Sequence, residues 1–364
     1  METLICRNTG GQIPAIEGIE YFLNRSIIIY GPSNSGKSVI ITHIMKQLQD
    51  KIPNVVIICP TNNVNNVYTG LVPNQLIHSE VKKELIDTIV KKQEAGLEIY
   101  NDANDINKLF SIFEFCASDG EKFKYNNFAS AYKDMEKKLI LDDGLHQSIK
   151  TKKLKELKGA HESNMRDLFK TVINSHRERI LCSNASDMVK RIVKYLYYNP
   201  NILLIMDDVG GDATTWGKFK EIRKLFFQGR HYHITFIIAL QDEVMLNKDL
   251  RTNSFINIFT KESVVSAYFE RKTNAYSTRE QKLYKGLAKT IFNSEDKEVD
   301  KYGNVIENFK KLCYIRDGCD FNIYYMLATM HDKFKFGSTT LWKICSSAQK
   351  TGGGTSDNEL KKYF

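Results

Sequence analysis

The stretch from 31 to 38 has the residue types and spacing of a loop that binds nucleotide phosphates. It matches the pattern G-x-x-x-x-G-K-[ST], and its members are Gly31, Pro32, Ser33, Asn34, Ser35, Gly36, Lys37 and Ser38. Glycine lets the backbone curl so that successive N–H groups face phosphate oxygens. In this pattern the Lys37 ammonium reaches the β- and γ-phosphates, and the Ser38 hydroxyl can ligate Mg²⁺. The motif therefore predicts binding of ATP with Mg²⁺.

The elements around this loop are those that the chemistry needs. An apolar, β-branched run at 26–30 precedes the loop and predicts a strand. The run that begins at Val39 predicts a helix, whose N-terminal dipole would favour the phosphate charge. Strand, glycine loop and helix in this order distinguish a nucleotide site from a chance match in a turn.

A second candidate element is a pair of carboxylates at the end of an apolar strand. Asp207 and Asp208 directly follow the run at 202–206. With a phosphate loop in the same chain, Asp207 would hold the Mg²⁺ and Asp208 would polarise an attacking water. The alternative is an Asp-rich turn without a catalytic role.

A third polar strand end follows. Gln241 ends the apolar run at 234–240 and could orient a water or sense the γ-phosphate, since its amide both donates and accepts. Ligands of open α/β sheets bind at the carboxyl ends of the strands, which favours this role over a plain polar terminus. His231 and His233 have H-x-H spacing, but no carboxylate or Cys in register completes a metal site.

Two arginines are candidates for a contact with the nucleotide of a neighbouring subunit. Arg230 lies before the strand at 234–240, and Arg251 lies before another apolar run at 255–259. An arginine contributes to phosphoryl transfer only if it is delivered to the transferring phosphate, usually across an interface. The sequence does not choose between the two, and an ordinary surface or ion-paired role is the alternative for each.

The order of elements predicts an α/β fold with a mostly parallel central sheet of five strands. Their continuous apolar character fits strands that are buried on both faces. We predict an ATPase core formed by 1–77 and 199–340 and a large helical insertion at 78–198, between the second and third strands. Two runs around an Asp-Gly turn at 317–318 predict a C-terminal β-hairpin extension. Residues 341–364, with three glycines at 352–354, are predicted to be a tail.

Composition narrows the class of protein. The chain has 364 residues, of which 42% are hydrophobic, and no stretch approaches the roughly 20 apolar residues of a membrane span. The first residues lack the pattern of a signal peptide, and the seven cysteines are scattered without a C-x-x-C pair. We therefore expect a soluble protein in a reducing compartment, without disulfides or a zinc module.

The net charge of +9 is compatible with a polyanionic partner, and nucleic acid is the first candidate. A lysine-rich run at 150–158 could contact DNA phosphates. A solvated helix face is the alternative for the same run and is slightly favoured.

Taken together, the motifs resemble the genome-packaging ATPases of large nucleocytoplasmic DNA viruses, the poxvirus type, within the FtsK–HerA group of P-loop ATPases. The resemblance spans about residues 15–260. Its specific parts are the block Gly229-Arg230-His231-Tyr232-His233 and the strand that ends in Leu240-Gln241-Asp242. Pumps of the FtsK type usually have Glu at the position of Asp208, although a pair of Asp residues looks usual for the viral branch of the group.

The resemblance implies a five-stranded RecA-like core and a homo-oligomeric ring, hexameric or pentameric, around double-stranded DNA. It implies ATP between neighbouring subunits, Mg²⁺ at Ser38 and Asp207, and an arginine from the adjacent subunit. It further implies a place in the virion and in viral factories of the host cytoplasm, with capsid or membrane-associated virion proteins as partners.

The alternatives are a HerA-like helicase or DNA-processing motor, and a virion scaffold that binds ATP but hydrolyses it slowly. A small-molecule kinase is disfavoured, because the strand-end residues suit attack by water.

Overall fold

The computed structural model describes residues 3–5, 11–292, 298–299, 305–306, 309–316 and 322–350. The strands, in chain order, are β1 (Thr3–Ile5), β2 (Gln12–Pro14), β3 (Ser26–Tyr30), β4 (Asn54–Ile58), β5 (Ile77–His78), β6 (Ile202–Met206), β7 (Ile234–Leu240), β8 (Ile256–Phe259), β9 (Glu298–Val299), β10 (Val305–Ile306), β11 (Phe309–Ile315) and β12 (Ile323–Ala328). The α-helices are α1 (Lys37–Leu48), α2 (Asn62–Asn65), α3 (Lys83–Asp102), α4 (Ile106–Cys116), α5 (Asp119–Leu141), α6 (Gln147–Ser175), α7 (Arg177–Cys182), α8 (Asp187–Lys194), α9 (Ala213–Trp216), α10 (Lys220–Gln228), α11 (Lys248–Asn253), α12 (Glu262–Glu270), α13 (Thr278–Phe292) and α14 (Thr339–Lys350).

The main sheet has the strand order β12-β11-β8-β3-β7-β6-β4-β5. The strands from β8 to β5 are parallel, and β11 and β12 add an antiparallel hairpin at the β8 edge. All residues of β3 and β7 are buried, which explains their uninterrupted apolar sequences. A central, mostly parallel sheet with the 31–38 loop between β3 and α1 fits a RecA-like P-loop ATPase fold.

Helices cover both faces of this sheet. Alternate residues of each strand point to opposite sides, so that Ile28 belongs to one apolar cluster and Ile27 to the other. The Ile27 side packs against α1 and α14, and the Ile28 side packs against α10, α12 and α13. Because β3 lies in the middle of the sheet, the loop that follows it is held on a rigid base.

The described residues form two compact units. One comprises the residues up to Gln93 and from Asn201 onward, and contains the sheet. The other, Glu94–Pro200, is helical and has its own apolar core around Leu109, Phe169 and Ile192. None of the helices in the described part of the chain is long and apolar enough to cross a membrane.

The structure corrects three expectations about the fold. The five predicted strands are all present, but the described sheet has eight, because β5 and the predicted C-terminal hairpin join it by backbone pairing. The ATPase unit extends to Gln93 rather than to 77, since Ile86 and Val90 of α3 pack in its core. Residues 341–350 are not a tail: they belong to α14, whose Leu341 and Cys345 are buried against the sheet.

Candidate nucleotide-binding site

The 31–38 loop connects the end of β3 to the start of α1, as its motif predicts. Gly36 caps the helix with a φ of 84°, a left-handed conformation that favours glycine. Pro32, Ser33 and Asn34 are exposed at the tip of the loop, whereas Gly31 and Ser35 are buried. The loop therefore presents its backbone and the N-terminus of α1 to a ligand at the carboxyl edge of the sheet.

The base of the loop is packed closely and holds two hydroxyls without partners. A Cβ added at Gly31 would lie 2.0 Å from Thr260 Oγ1 and 2.4 Å from Ser35 Oγ, so only glycine fits there. The Gly31 N–H donates to Leu240 O (3.1 Å), which ties the loop to the end of β7. Ser35 Oγ and Thr260 Oγ1 are buried and have no hydrogen-bond partner among the described residues. Buried polar atoms normally have a hydrogen-bond partner, and at a ligand-binding loop the ligand can supply it.

The Lys37 side chain is folded back on the loop. Its ammonium donates to Gly31 O (2.8 Å) and Pro32 O (2.9 Å). Burial lowers the pKa of Lys37, while Asp207 and Asp208 act in the opposite direction. The two carboxylates of the second motif therefore act on the charge of the ammonium. Their role in a shared phosphate and metal site stays a prediction.

Asp207 connects the second motif to the loop. The Ser38 hydroxyl donates to Asp207 Oδ2 over 3.2 Å, across 169 positions of sequence. Hydroxyl and carboxylate oxygens are hard ligands suited to Mg²⁺, so this pair fits the predicted metal. No group of three or more His, Cys, Asp or Glu side chains that could hold a metal ion occurs among the described residues.

Tyr68 is a site residue that the sequence analysis missed. Its hydroxyl donates to Asp207 Oδ2 over 2.7 Å, and the whole side chain is buried. The Tyr68 N–H in turn donates to Asn62 Oδ1 over 3.0 Å, which fixes the segment after β4. Burial raises the pKa of Asp207, and the bonds from Tyr68 and Ser38 and the charge of Lys37 oppose that rise. The one available signal was position, since Tyr68 follows a strand that ends at the ligand-facing edge.

Asp208 has an unusual backbone conformation. Its φ is 57°, which is uncommon for a residue with a Cβ and which occurs at functional sites more often than elsewhere. Just beyond it, the carbonyl of Val209 accepts a hydrogen bond from Trp216 Nε1 (2.9 Å) in the buried core. The turn after β6 is thus held in place, and the Asp208 side chain remains partly exposed.

Gln241 lies at the same edge of the sheet as the loop. It follows β7, which is paired directly with β3, and it is exposed. Since β7 also pairs with β6, Gln241 and Asp207 follow neighbouring strands. The structure thus brings all three strand-end motifs to one edge.

The expectation that Arg251 reaches a neighbouring subunit is wrong. Arg251 is only 5% exposed, and its Nη1 donates to the carbonyls of Glu243 and Leu246, both over 2.9 Å. Its Nη2 is 3.4 Å from Thr273 Oγ1. A guanidinium that is buried and bonded in this way cannot be delivered to another molecule. It instead stabilises the loop that follows Gln241.

Arg230 has a different environment. It is exposed, and its Nε donates to His231 Nε2 over 3.3 Å. It precedes β7, at the edge of the sheet opposite the phosphate loop. It therefore cannot serve the nucleotide of its own subunit. His233, the other half of the H-x-H pattern, contacts Asn201 Oδ1 through Nδ1 (3.1 Å) and shares no described metal site with His231.

The lysine run at 150–158 lies on α6 of the helical unit. Lys150 Nζ donates to Ile140 O over 3.0 Å, and the other four lysines are exposed. This placement suits both a DNA contact and a solvated helix face.

Sequence comparison relates the chain to proteins of large DNA viruses. No protein-family model matches it. It is 26% identical over 358 residues to protein B354L of African swine fever virus (isolate Warthog/Namibia/Wart80/1980), covering 93% of this chain and 92% of the relative. The resemblance to proteins of large DNA viruses is confirmed. A shorter match to protein L437 of Acanthamoeba polyphaga mimivirus has 38% identity over 58 residues, which is 16% of this chain and 20% of that protein.

Comparison with solved structures finds nucleotide-dependent proteins. EssC (ATPases 2 and 3) from Geobacillus thermodenitrificans has 9% identity and a TM-score of 0.39 over 96% of this chain, which spans 47% of that structure. The genome packaging NTPase B204 from Sulfolobus turreted icosahedral virus 2, in complex with ATP-gammaS, has 11% identity and a TM-score of 0.32 over 85% of this chain and 99% of that one. The plasmid coupling protein TrwB, in complex with ADP and Mg²⁺, has 10% identity and a TM-score of 0.34 over 93% and 97% of the two chains.

Proposed function

We propose that this protein is an ATPase motor that translocates double-stranded DNA, and that it packages a viral genome into the capsid. The observation that carries the ATPase part is the meeting of Lys37, Ser38 and Asp207 at one edge of the sheet. Two hydroxyls without partners at the base of the loop support the binding of a ligand by that loop. The acidic strand end supports hydrolysis rather than binding alone.

In this proposal each residue has one task. Lys37 exchanges its bonds to the loop carbonyls for bonds to the β- and γ-phosphates. Ser38 and Asp207 would hold Mg²⁺, which when bound would neutralise charge on the phosphates. Asp208 accepts a proton from the attacking water, and Gln241 orients that water. Backbone N–H groups at the start of α1 stabilise charge that develops on the γ-phosphate.

An arginine from a neighbouring subunit completes the site, and Arg230 is the candidate that remains. Its exposure and its position away from the loop of its own chain support a contact across an interface. We therefore propose a homo-oligomeric ring, hexameric or pentameric, with ATP between subunits.

The net charge of +9 supports a polyanionic partner such as DNA, and the viral relatives support a viral setting. Packaging would place the protein in viral factories and in the virion, beside capsid or membrane-associated proteins. The first test is ATP hydrolysis by purified wild-type and Lys37→Ala protein, with and without double-stranded DNA. We expect DNA to stimulate the wild type and Lys37→Ala to abolish turnover. Unchanged turnover in Lys37→Ala would refute the ATPase assignment.

Two other functions predict different results, in this assay or in assays of strand separation. A HerA-like helicase or processing motor would separate the strands of a forked substrate. A virion scaffold that binds ATP would hydrolyse it slowly and show no stimulation by double-stranded DNA. Displacement of a triplex strand from duplex DNA, without strand separation, is the result expected of a packaging motor.

A further inference from the structure

Three arginines line a cleft at the amino-terminal edge of the parallel strands. Arg25 precedes β3, Arg230 precedes β7, and Arg316 follows β11, which runs antiparallel. Two adjoining cavities of about 270 and 430 Å³ share these three arginines and Phe255 in their walls. We call Arg25, Arg230 and Arg316 the guanidinium cleft. It concentrates positive charge on a concave surface.

The walls of the cleft carry little negative charge. Among the described residues that line the two cavities, Glu20 is the only acidic one, and it is exposed. Arg25 lies over the Phe255 ring, with 4.0 Å from Cζ to the ring centroid, which orients its planar group. Arg230 and Arg316 carry like charges that repel one another, and a bound anion would offset that cost.

Arg316 is held rigidly by its own unit. Its Nη1 donates to Thr252 O over 2.7 Å, and its Nη2 lies 3.0 Å from Tyr268 Oη and 3.1 Å from Tyr276 Oη. Its Nε–H is buried and has no acceptor among the described residues. The guanidinium is therefore positioned before any ligand arrives, and one of its donors is still unsatisfied.

We propose that the guanidinium cleft is a phosphate-binding site separate from the loop at 31–38. A planar guanidinium group can donate two parallel hydrogen bonds to the oxygens of a phosphate, which a monoatomic anion cannot accept in the same way. The nucleotide of the same subunit is excluded, since β3 alone separates the two edges by roughly 13 Å at about 3.3 Å per residue. The phosphate comes either from a nucleotide bound to a neighbouring copy or from a DNA backbone. These two sources, but not the site itself, rest on the proposed function.

The site is tested in Lys37→Ala protein, whose phosphate loop is disabled. Titration with sodium tripolyphosphate in a calorimeter should show binding that remains in this background. Adding Arg25→Gln and Arg230→Gln should weaken it about 10- to 100-fold, the effect of losing charge-assisted hydrogen bonds. The matched control is Arg279→Gln, an exposed arginine of α13 outside the cleft, which should leave binding unchanged.

Absence of binding in Lys37→Ala, or equal binding in the cleft variant, would overturn the proposal. Arg230→Gln alone serves as the second variant, because Arg230 is exposed and its loss should not disturb folding. This readout needs no hydrolysis, so failure of the proposed function and failure of the cleft give different results.

The source of the phosphate is decided by mixing two variants. Lys37→Ala subunits keep the cleft, and Arg25→Gln subunits keep the loop. If the cleft serves a neighbour's nucleotide, the mixture hydrolyses ATP faster than the sum of the separate proteins. If it serves DNA, Arg25→Gln instead weakens duplex binding and flattens its salt dependence, without complementation. If neither effect is seen, both sources are refuted.

Discussion

Removal of the Tyr68 hydroxyl tests whether Asp207 is positioned as the site requires. In Tyr68→Phe the ring is kept, and only the donor to Asp207 Oδ2 at 2.7 Å is lost. Asp207 is 5% exposed, so water cannot replace that donor freely. A hydrogen bond to a charged group contributes about 1.5–3 kcal/mol to stability. We therefore expect the free energy of unfolding to fall by about 2 kcal/mol and Tm to fall by about 4–8 °C.

The catalytic effect should be separate from the loss of stability. Residues that orient a metal ligand typically account for about 10- to 100-fold in metal affinity or activity. ATP hydrolysis by Tyr68→Phe, measured well below its Tm, should show a rise in the Mg²⁺ concentration needed for half-maximal turnover. Tyr197→Phe, at a tyrosine of the helical unit that is 61% exposed, is the matched control and should match wild type.

A double-mutant cycle with Asp207→Asn tests whether the stability loss in Tyr68→Phe comes from the hydrogen bond to Asp207. The neutral amide still accepts from Tyr68, but such a bond is worth only about 0.5–1.5 kcal/mol. Tyr68→Phe should therefore cost about 1 kcal/mol less in the Asp207→Asn background than in wild type. An equal cost in both backgrounds would show that Tyr68 acts through packing alone and would refute this reasoning.

Asp207→Asn alone should raise the free energy of unfolding by about 1 kcal/mol at pH 7, since burial disfavours the carboxylate. Because burial raises the folded-state pKa of Asp207, the contribution of this group to the free energy of unfolding rises as pH falls through that pKa toward the unfolded-state value, so the advantage of the variant over wild type should shrink across that range in denaturation series. Asp208→Gly should remove the strain of a φ of 57° and raise the free energy of unfolding in urea by about 1 kcal/mol, while ATP turnover is lost. A lower free energy of unfolding would contradict this prediction. Arg251→Met should cost about 1–3 kcal/mol by leaving the buried carbonyl of Leu246 unsatisfied, whereas Glu243 O keeps the bond from the Leu246 N–H; a cost near zero would argue against that role. Exchange of the lysines at 150–158 for Gln should reduce the salt slope of DNA binding by about 0.9 for each DNA phosphate that they neutralise, and an unchanged slope would leave them a solvated face.

Sequence alone was sufficient where the signal is local. The phosphate loop is evident from eight consecutive residues, and the five central strands from runs of apolar residues buried on both faces. Tyr68 carries no such signal, because its partner Asp207 lies 139 positions away and the bond exists only in the folded chain. Arg251 looked like a free cation for the same reason, since its partners are backbone carbonyls that carry no side-chain signature.

The edge elements were harder to predict than the centre of the sheet. The C-terminal hairpin was expected as a separate extension, but β11 pairs with β8 and extends the sheet. A strand can add to a sheet only at an edge strand, whose backbone N–H and C=O groups are unpaired. Which strand lies at the edge is set by the strand order of the whole sheet and not by the sequence of any one strand. The Asp-Gly turn that the sequence predicts at 317–318 lies outside the described residues.

The placement of the two phosphate-directed surfaces on opposite edges constrains how copies of this chain can assemble. The loop lies at the carboxyl edge of β3, and the guanidinium cleft lies at the amino edge. A two-fold dimer brings each loop to the other copy's cleft only if the strands of the two copies run antiparallel at the interface. A head-to-tail contact instead uses one loop and one cleft at each interface, and such contacts repeat until a ring closes or a filament grows. Mass photometry with a slowly hydrolysed ATP analogue distinguishes these outcomes: the proposed ring predicts a species of five or six copies, and a species that stops at two copies would refute the ring.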